Sequence, residues 1–173
     1  KPDLIVIGVS SKGIEWAANE LSKNLDKDTK ILLLTKGLTI IDDKFETLVE
    51  KFQLILNKNN VKNVNISAVA GPCLASGLAN KIKSSVVIAN KDTSVAKEIG
   101  NMITTNYYSV EVSDDLIGVE VCAAIKNIYS MIIGAGQSLN ASSNLFQKSI
   151  IEMKYLTKYF GGYEETTFGL AGV

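Results

Sequence analysis

Short apolar runs alternate with amphipathic stretches through the first part of the chain, and the alternation stops at Ser113-Asp114-Asp115. That switch constrains the fold more than any single residue does. The runs are Leu4–Val9, Ile31–Leu34, Val64–Val69 and Ser85–Ala89, followed by Tyr108–Val112 with period-two alternation. Each is too short for a helix and is bounded by turn-forming residues, so each reads as a strand. Between them, Ile14, Ala17, Ala18 and Leu21 fall on one helical face, predicting a helix over Ile14–Asn24. Phe45, Leu48, Val49, Phe52 and Leu56 predict a second. Pro72 suits a first helical turn, which predicts a third helix over Pro72–Lys81, and a fourth is expected over Thr93–Thr104. Strands that are apolar on both faces and alternate with helices argue for an open α/β sheet covered on both sides.

From Leu116 onward no segment reads as a strand. Leu116–Gly134 predicts one long helix, opened by an Asp-Asp cap signal and apolar nearly all round, hence a buried central helix. A second helix is expected over about Ser143–Phe160, stopped by Gly161-Gly162. The α/β part therefore gives way to an all-helical part near residue 115.

Composition removes whole classes of function. The 173 residues are 46% hydrophobic, which is ample for a core, and 18 basic side chains balance 18 acidic ones. That balance favours neither nucleic acid nor an anionic membrane as a partner. The chain has no histidine. Ser-His-Asp triads, Cys-His dyads, HExxH zinc sites and a histidine base are therefore excluded, and proton transfer must fall to Lys, Asp, Glu, Tyr or Cys. Cys73 and Cys122 lie far apart and form no CxxC, so they suggest neither a zinc site nor a disulfide framework, and a reducing compartment is expected. No membrane span is expected, because Glu120 and Lys126 interrupt the most apolar stretch. Lys1-Pro2-Asp3 lacks the hydrophobic start of a signal peptide.

In an open α/β sheet, ligands bind beyond the carboxyl ends of the strands. Three such ends carry unusual residues: Val9-Ser10-Ser11, Thr35-Lys36-Gly37 and Ala70-Gly71-Pro72-Cys73. Each also reads as an ordinary turn. Lys126 is harder to explain in that way. It sits mid-helix, and its neighbours three and four residues away are Cys122, Ala123, Tyr129 and Ser130, none of them acidic. A buried lysine needs a partner, so Lys126 either reaches the surface, pairs with a distant group, or holds an ammonium at a substrate oxygen. Glu120 reads as a second polar contact of the site or, more simply, as a cap or a pair with another element. Gly134-Ala135-Gly136 follows a helix and lacks the third glycine of a dinucleotide fingerprint; no such fingerprint occurs in the chain.

Ile117-Gly118-Val119-Glu120 followed by Ala124-Ile125-Lys126-Asn127-Ile128 resembles the signature helix of the NAD(P)-dependent glycerol-3-phosphate dehydrogenases. Thr35-Lys36-Gly37-Leu38, Gly71-Pro72-Cys73-Leu74-Ala75, Asp114–Gly118 and Phe168–Gly172 fall in the order of that family's landmarks. The resemblance spans essentially the whole chain and is nearest to the soluble bacterial and archaeal type. It implies the second part of a Rossmann-type dinucleotide-binding domain over residues 1–115. The start of an all-α substrate domain, with helices like those of 6-phosphogluconate dehydrogenase, would occupy 116–173. It implies hydride transfer between NADH or NADPH and dihydroxyacetone phosphate, giving sn-glycerol 3-phosphate, with Lys126 as the catalytic proton-transfer group and no metal. Substrate contacts are implied for Lys36, Gly71, Cys73 and Asn127, and cofactor contacts for Ser10, Lys36 and Ala75. Cys73 departs from the hydroxyl residue often found at its position. The partner is thus expected to be a small molecule, the location cytoplasmic, and a homodimer compatible. The resemblance also implies that the cofactor's pyrophosphate-binding GxGxxG turn and a phosphate-gripping Gly-Gly-Arg-Asn segment lie outside these residues, so the chain alone is expected to be inactive. Two other readings stay open: a related hydroxy-acid or sugar-phosphate dehydrogenase, and a non-catalytic nucleotide-binding module on the same fold.

Overall fold

The apolar runs pair into one sheet. The computed structural model describes residues 1–26 and 28–172; Lys27 and Val173, which fall within the two expected domain ranges, lie outside the described residues. Strands β1 (Leu4–Ile7), β2 (Lys30–Leu33), β5 (Ile66–Ala70), β6 (Ser84–Ala89) and β7 (Tyr108–Ser113) form the sheet in the order β1-β2-β5-β6-β7. Two further strands, β3 (Leu38–Ile41) and β4 (Lys44–Thr47), form a separate antiparallel hairpin. The helices are α1 (Ile14–Ser22), α2 (Leu48–Lys58), α3 (Ala75–Ala79), α4 (Thr93–Ile103), α5 (Leu116–Gly134) and α6 (Leu139–Tyr159).

Successive strand residues point to opposite faces, and the core divides accordingly. Ile31 and Leu33 of β2, with Ala68 and Ala70 of β5, pack with Ile14 and Ala18 of α1, Phe52 and Leu56 of α2, and Val119 and Cys122 of α5. Leu32, Val69, Val86 and Ile88 face the other way, onto Val95, Ala96 and Ile99 of α4. The sheet is therefore covered on both faces, as the doubly apolar strands predict. β1, β2 and β5 run parallel, so their carboxyl ends stand side by side. β6 runs antiparallel to β5 and parallel to β7. The β5–β6 connection, residues 71–83, carries the short helix α3.

Several boundaries differ from the periodicity. Phe45 lies on β4, not on a helix, and is 60% exposed. Asp42 and Asp43 both have positive φ, 49° and 61°, and close a two-residue hairpin turn whose twist suits the flanking strands. Helix α2 begins only at Leu48, after a capping box in which Thr47 Oγ1 accepts from the Glu50 amide and the Glu50 carboxylate accepts from the Thr47 amide. Pro72 does not open α3, which starts at Ala75. Gly71, at φ +147°, and Pro72 form a tight turn instead, closed by Cys73 N donating to Gly71 O at 3.0 Å. Helix α6 begins four residues earlier than expected, because Ser138 is its cap, accepting from Ala141 N at 3.2 Å. Its first apolar residue, Leu139, is exposed and leaves no core-facing periodicity to read.

Helix α5 is buried along its first part only. Val119, Val121, Cys122, Ala123 and Ile125 lie in the core, while Ile128 and Met131 are exposed. By length and composition it could cross a membrane, yet its first half packs on β5 inside the α/β core. Buried Asp115 fixes its start. One carboxylate oxygen accepts from Gly118 N at 2.9 Å; the other accepts from Tyr163 N at 2.9 Å and from the Thr166 hydroxyl. The backbones of Gly118 and Gly162 approach so closely that a Cβ on Gly162 would lie 2.5 Å from Gly118 Cα. Both cysteines are free thiols, and Cys122 Sγ lies 3.4 Å from Thr157 Oγ1.

Candidate active site

The three strand ends singled out in the sequence meet. Thr35 Oγ1 donates to Val9 O at 2.6 Å, tying the turn after β2 to the turn after β1. The Lys36 ammonium donates to Leu34 O and to Val69 O, both at 2.7 Å, which ties the same turn to the end of β5. Gly37 takes φ +141° beside Ser11. Lys126 reaches this rim from the middle of α5 and donates to Gly71 O at 3.4 Å. That carbonyl also accepts from the Cys73 amide. Gly71 can be nothing larger: a Cβ there would lie 2.8 Å from Ser85 O and 2.8 Å from Val86 Cα.

Two lysines thus share one small region, and each bears the mark of it. Burial pulls the Lys126 ammonium below the ordinary lysine value, with partial compensation from Cys122. Lys36 is lowered first by burial and then by the positive charge of Lys126, while Glu120 pulls it back up. A lysine whose pKa falls toward neutrality is better matched to giving and taking a proton.

The remaining expected residues are placed as follows. Ser10 is exposed at the start of the 3-10 turn Ser11–Gly13, and Ala75 is the exposed first residue of α3. Asn127 follows Lys126 and is exposed. The Cys73 amide joins the site through Gly71 O, but its side chain packs toward the α4 side with Tyr108, away from Lys126. Glu120 turns out to span elements: 6% exposed, it accepts from Val49 N at 3.1 Å, at the first turn of α2. Sequence reasoning placed it as a cap or an inter-element pair and did not name its partner. The Leu34 and Val69 carbonyls that seat Lys36 leave no trace in side-chain chemistry. Among the described residues, no three His, Cys, Asp or Glu side chains cluster as metal ligands would.

Parallel strand ends side by side, faced by an amine on the first helix of an all-α segment, are the layout of the two-domain nicotinamide-dependent dehydrogenases: a Rossmann-type sheet followed by helices. Comparison with known proteins narrows the class. Residues 1–96 match the family profile described as NAD-dependent glycerol-3-phosphate dehydrogenase N-terminus, and residues 115–173 match the corresponding C-terminus. The chain belongs to the NAD-dependent glycerol-3-phosphate dehydrogenase family. It is 30% identical to the NADP(+)-dependent glycerol-3-phosphate dehydrogenase of Archaeoglobus fulgidus, over 98% of this chain and 52% of that protein. It is 29% identical to a glycerol-3-phosphate dehydrogenase [NAD(P)+] of Clostridium botulinum, over 99% of this chain and 51% of that one. The crystal structure of the Coxiella burnetii glycerol-3-phosphate dehydrogenase superposes with a TM-score of 0.82 at 28% identity, over 97% of this chain and 50% of its own. The chain spans about half the length of the relatives it matches.

Proposed function

We propose that this chain carries the proton-transfer centre of an NAD(P)-dependent glycerol-3-phosphate dehydrogenase that interconverts dihydroxyacetone phosphate and sn-glycerol 3-phosphate. The observation that carries the reading is the position of Lys126, at the carboxyl ends of parallel strands and 3.4 Å from Gly71 O, in a chain of this family. NAD or NADP, when bound, supplies or accepts the hydride. The strand-end rim suits it: Gly37 keeps a side chain off the turn beside Ser11, and the Ser10 turn, Lys36 and Ala75 border the same edge. Lys126 stabilises the charge that grows on the substrate carbonyl oxygen during reduction and delivers its proton; in oxidation the neutral amine takes the proton back. Lys36 adds a second positive charge toward an anionic substrate, and Asn127, Gly71 and the Cys73 main chain orient it. Residues 1–115 serve the cofactor side and 116–173 the substrate side. The protein works on a small molecule in the cytoplasm, and a homodimer is compatible with that reading.

The test is Lys126→Ala in the full-length protein. Turnover of dihydroxyacetone phosphate should fall by roughly 10²–10⁴-fold, with NAD(P)H binding, read by nucleotide fluorescence, retained. Unchanged turnover would overturn the assignment.

A further inference from the structure

We propose that Glu120 is a positioning residue of the two-lysine site, acting through Lys36: its buried carboxylate, which lines the same small cavity as Lys36, is the countercharge that holds the Lys36 ammonium seated on the Leu34 and Val69 carbonyls. The inference rests on the reading of Lys36 as a site residue.

Glu120 is not needed where it sits as a cap. The N-terminus of α2 already has a complete capping box from Thr47 and Glu50. Yet Glu120 is buried, with one oxygen on Val49 N and the other, Oε2, without a hydrogen-bond donor among the described residues. A buried carboxylate with an unsatisfied oxygen is costly, and a neutral side chain would accept from Val49 N equally well. When Glu120 ionises, that open oxygen has room for a cation nearby. A small cavity lined by Thr35, Lys36, Val69, Glu120 and Ala123 lies between the two side chains. Across it, Glu120 is the group that raises the Lys36 pKa against burial and against Lys126.

The groups that face Glu120 are few. Lys36 approaches from the turn after β2. From the junction of β4 and α2 come the Thr47 hydroxyl, the Leu48 and Val49 amides, and Glu50, which has Glu46 as a neighbour. Lys126 stands on the same helix and acts on Lys36. Burial pushes the Glu120 carboxyl up to about 7, opposed by the Thr47 hydroxyl and the Val49 amide, and helped by the Glu50 charge. Protonating Glu120 therefore strips Lys36 of its countercharge while Lys126 continues to repel it.

The test is the Lys36 titration, followed by lysine side-chain NMR in the 173-residue chain and in Glu120→Gln. The amide keeps an oxygen for Val49 N and removes only the charge. The Lys36 midpoint is expected to shift down in the variant. An unmoved midpoint in a folded variant would overturn the proposal, since a purely structural Glu120 predicts no shift. If Glu120→Gln does not fold, Lys36→Met decides. Lys36 stands on the turn after β2, outside the packed core, and its removal should move the Glu120 carboxyl midpoint up; no movement overturns the proposal. In the full-length enzyme, Glu120→Gln should move the alkaline limb of the kcat/KM profile to lower pH. Failure of the Lys126→Ala test would sink the enzymatic reading but leave the NMR coupling intact. Failure of the coupling would sink this proposal alone.

Discussion

Lys126 Nζ donates to the carbonyl oxygen of Gly71 at 3.4 Å, so the helix that carries the amine is joined directly to the end of the central strand β5. At this contact the lysine meets backbone, and backbone position at Gly71 depends on the absence of a side chain.

Gly71→Ala should therefore damage both fold and site. The residue sits at φ +147°, and its new Cβ would meet main-chain atoms of Ser85 and Val86 that cannot rotate away. Strain of this kind is worth roughly 1–3 kcal/mol, before any clash is counted. Urea unfolding of the chain should show a midpoint lowered accordingly. A wild-type midpoint would mean that the turn after β5 is softer than its geometry implies.

Lys126→Met should leave stability unchanged or raise it. A lysine with a lowered native pKa binds fewer protons folded than unfolded, so wild-type stability rises as pH climbs toward the ordinary lysine value. At neutral pH the charged, half-buried ammonium works against the fold. The variant should melt no lower than wild type at pH 7 and should lose the alkaline rise. A clearly lower melting temperature would identify Lys126 as a structural tie instead.

Glu120 gives the opposite slope. Its native pKa is raised from 4.5 to about 7, so its contribution to stability is fully present below 4.5 and is lost as pH rises through 7. The loss amounts to roughly 3 kcal/mol at most. Urea unfolding at pH 5 and pH 8 should show a smaller difference for Glu120→Gln than for wild type. Equal differences in the two proteins would exclude Glu120 as the titrating group and point to Glu46, the other carboxyl here whose pKa is raised.

Asp115→Ala should be among the most destabilising single changes. It removes the cap of α5 and frees two donors, Tyr163 N and the Thr166 hydroxyl. A lost cap is worth about 1 kcal/mol and each lost part-buried hydrogen bond about 1 kcal/mol. Hydrogen exchange should rise at Gly118 and Tyr163 together. Exchange confined to Gly118 would show that the segment after α6 is held by other contacts.

Much of this molecule is legible in its sequence, and the exceptions have physical causes. β2 and β5 were readable because both of their faces are buried, so their sequences are largely apolar, while β7 was readable by its period-two alternation. Helix α5 was readable to the residue because Asp115 caps it and Gly134 ends it. The hairpin of β3 and β4 was not, because Asp42-Asp43 lacks the glycine that usually marks such a turn and because Ile40 and Phe45 are exposed. Of the site, the lysines and Gly71 stood out by residue type and place. Their connections did not. Lys36 and Lys126 are held by carbonyl oxygens, which every residue has, and Glu120 is held by an amide 71 positions earlier.

Those connections have a bearing on how the molecule comes into being. Lys126 reaches back 55 residues to Gly71, and Asp115 reaches forward 48 to Tyr163. Contacts of such long range close late, after the loops between them have been gathered in. Until then Lys126 is a solvated lysine like any other on the surface. Its unusual acidity is a property of the finished tertiary structure and is absent from the unfolded chain.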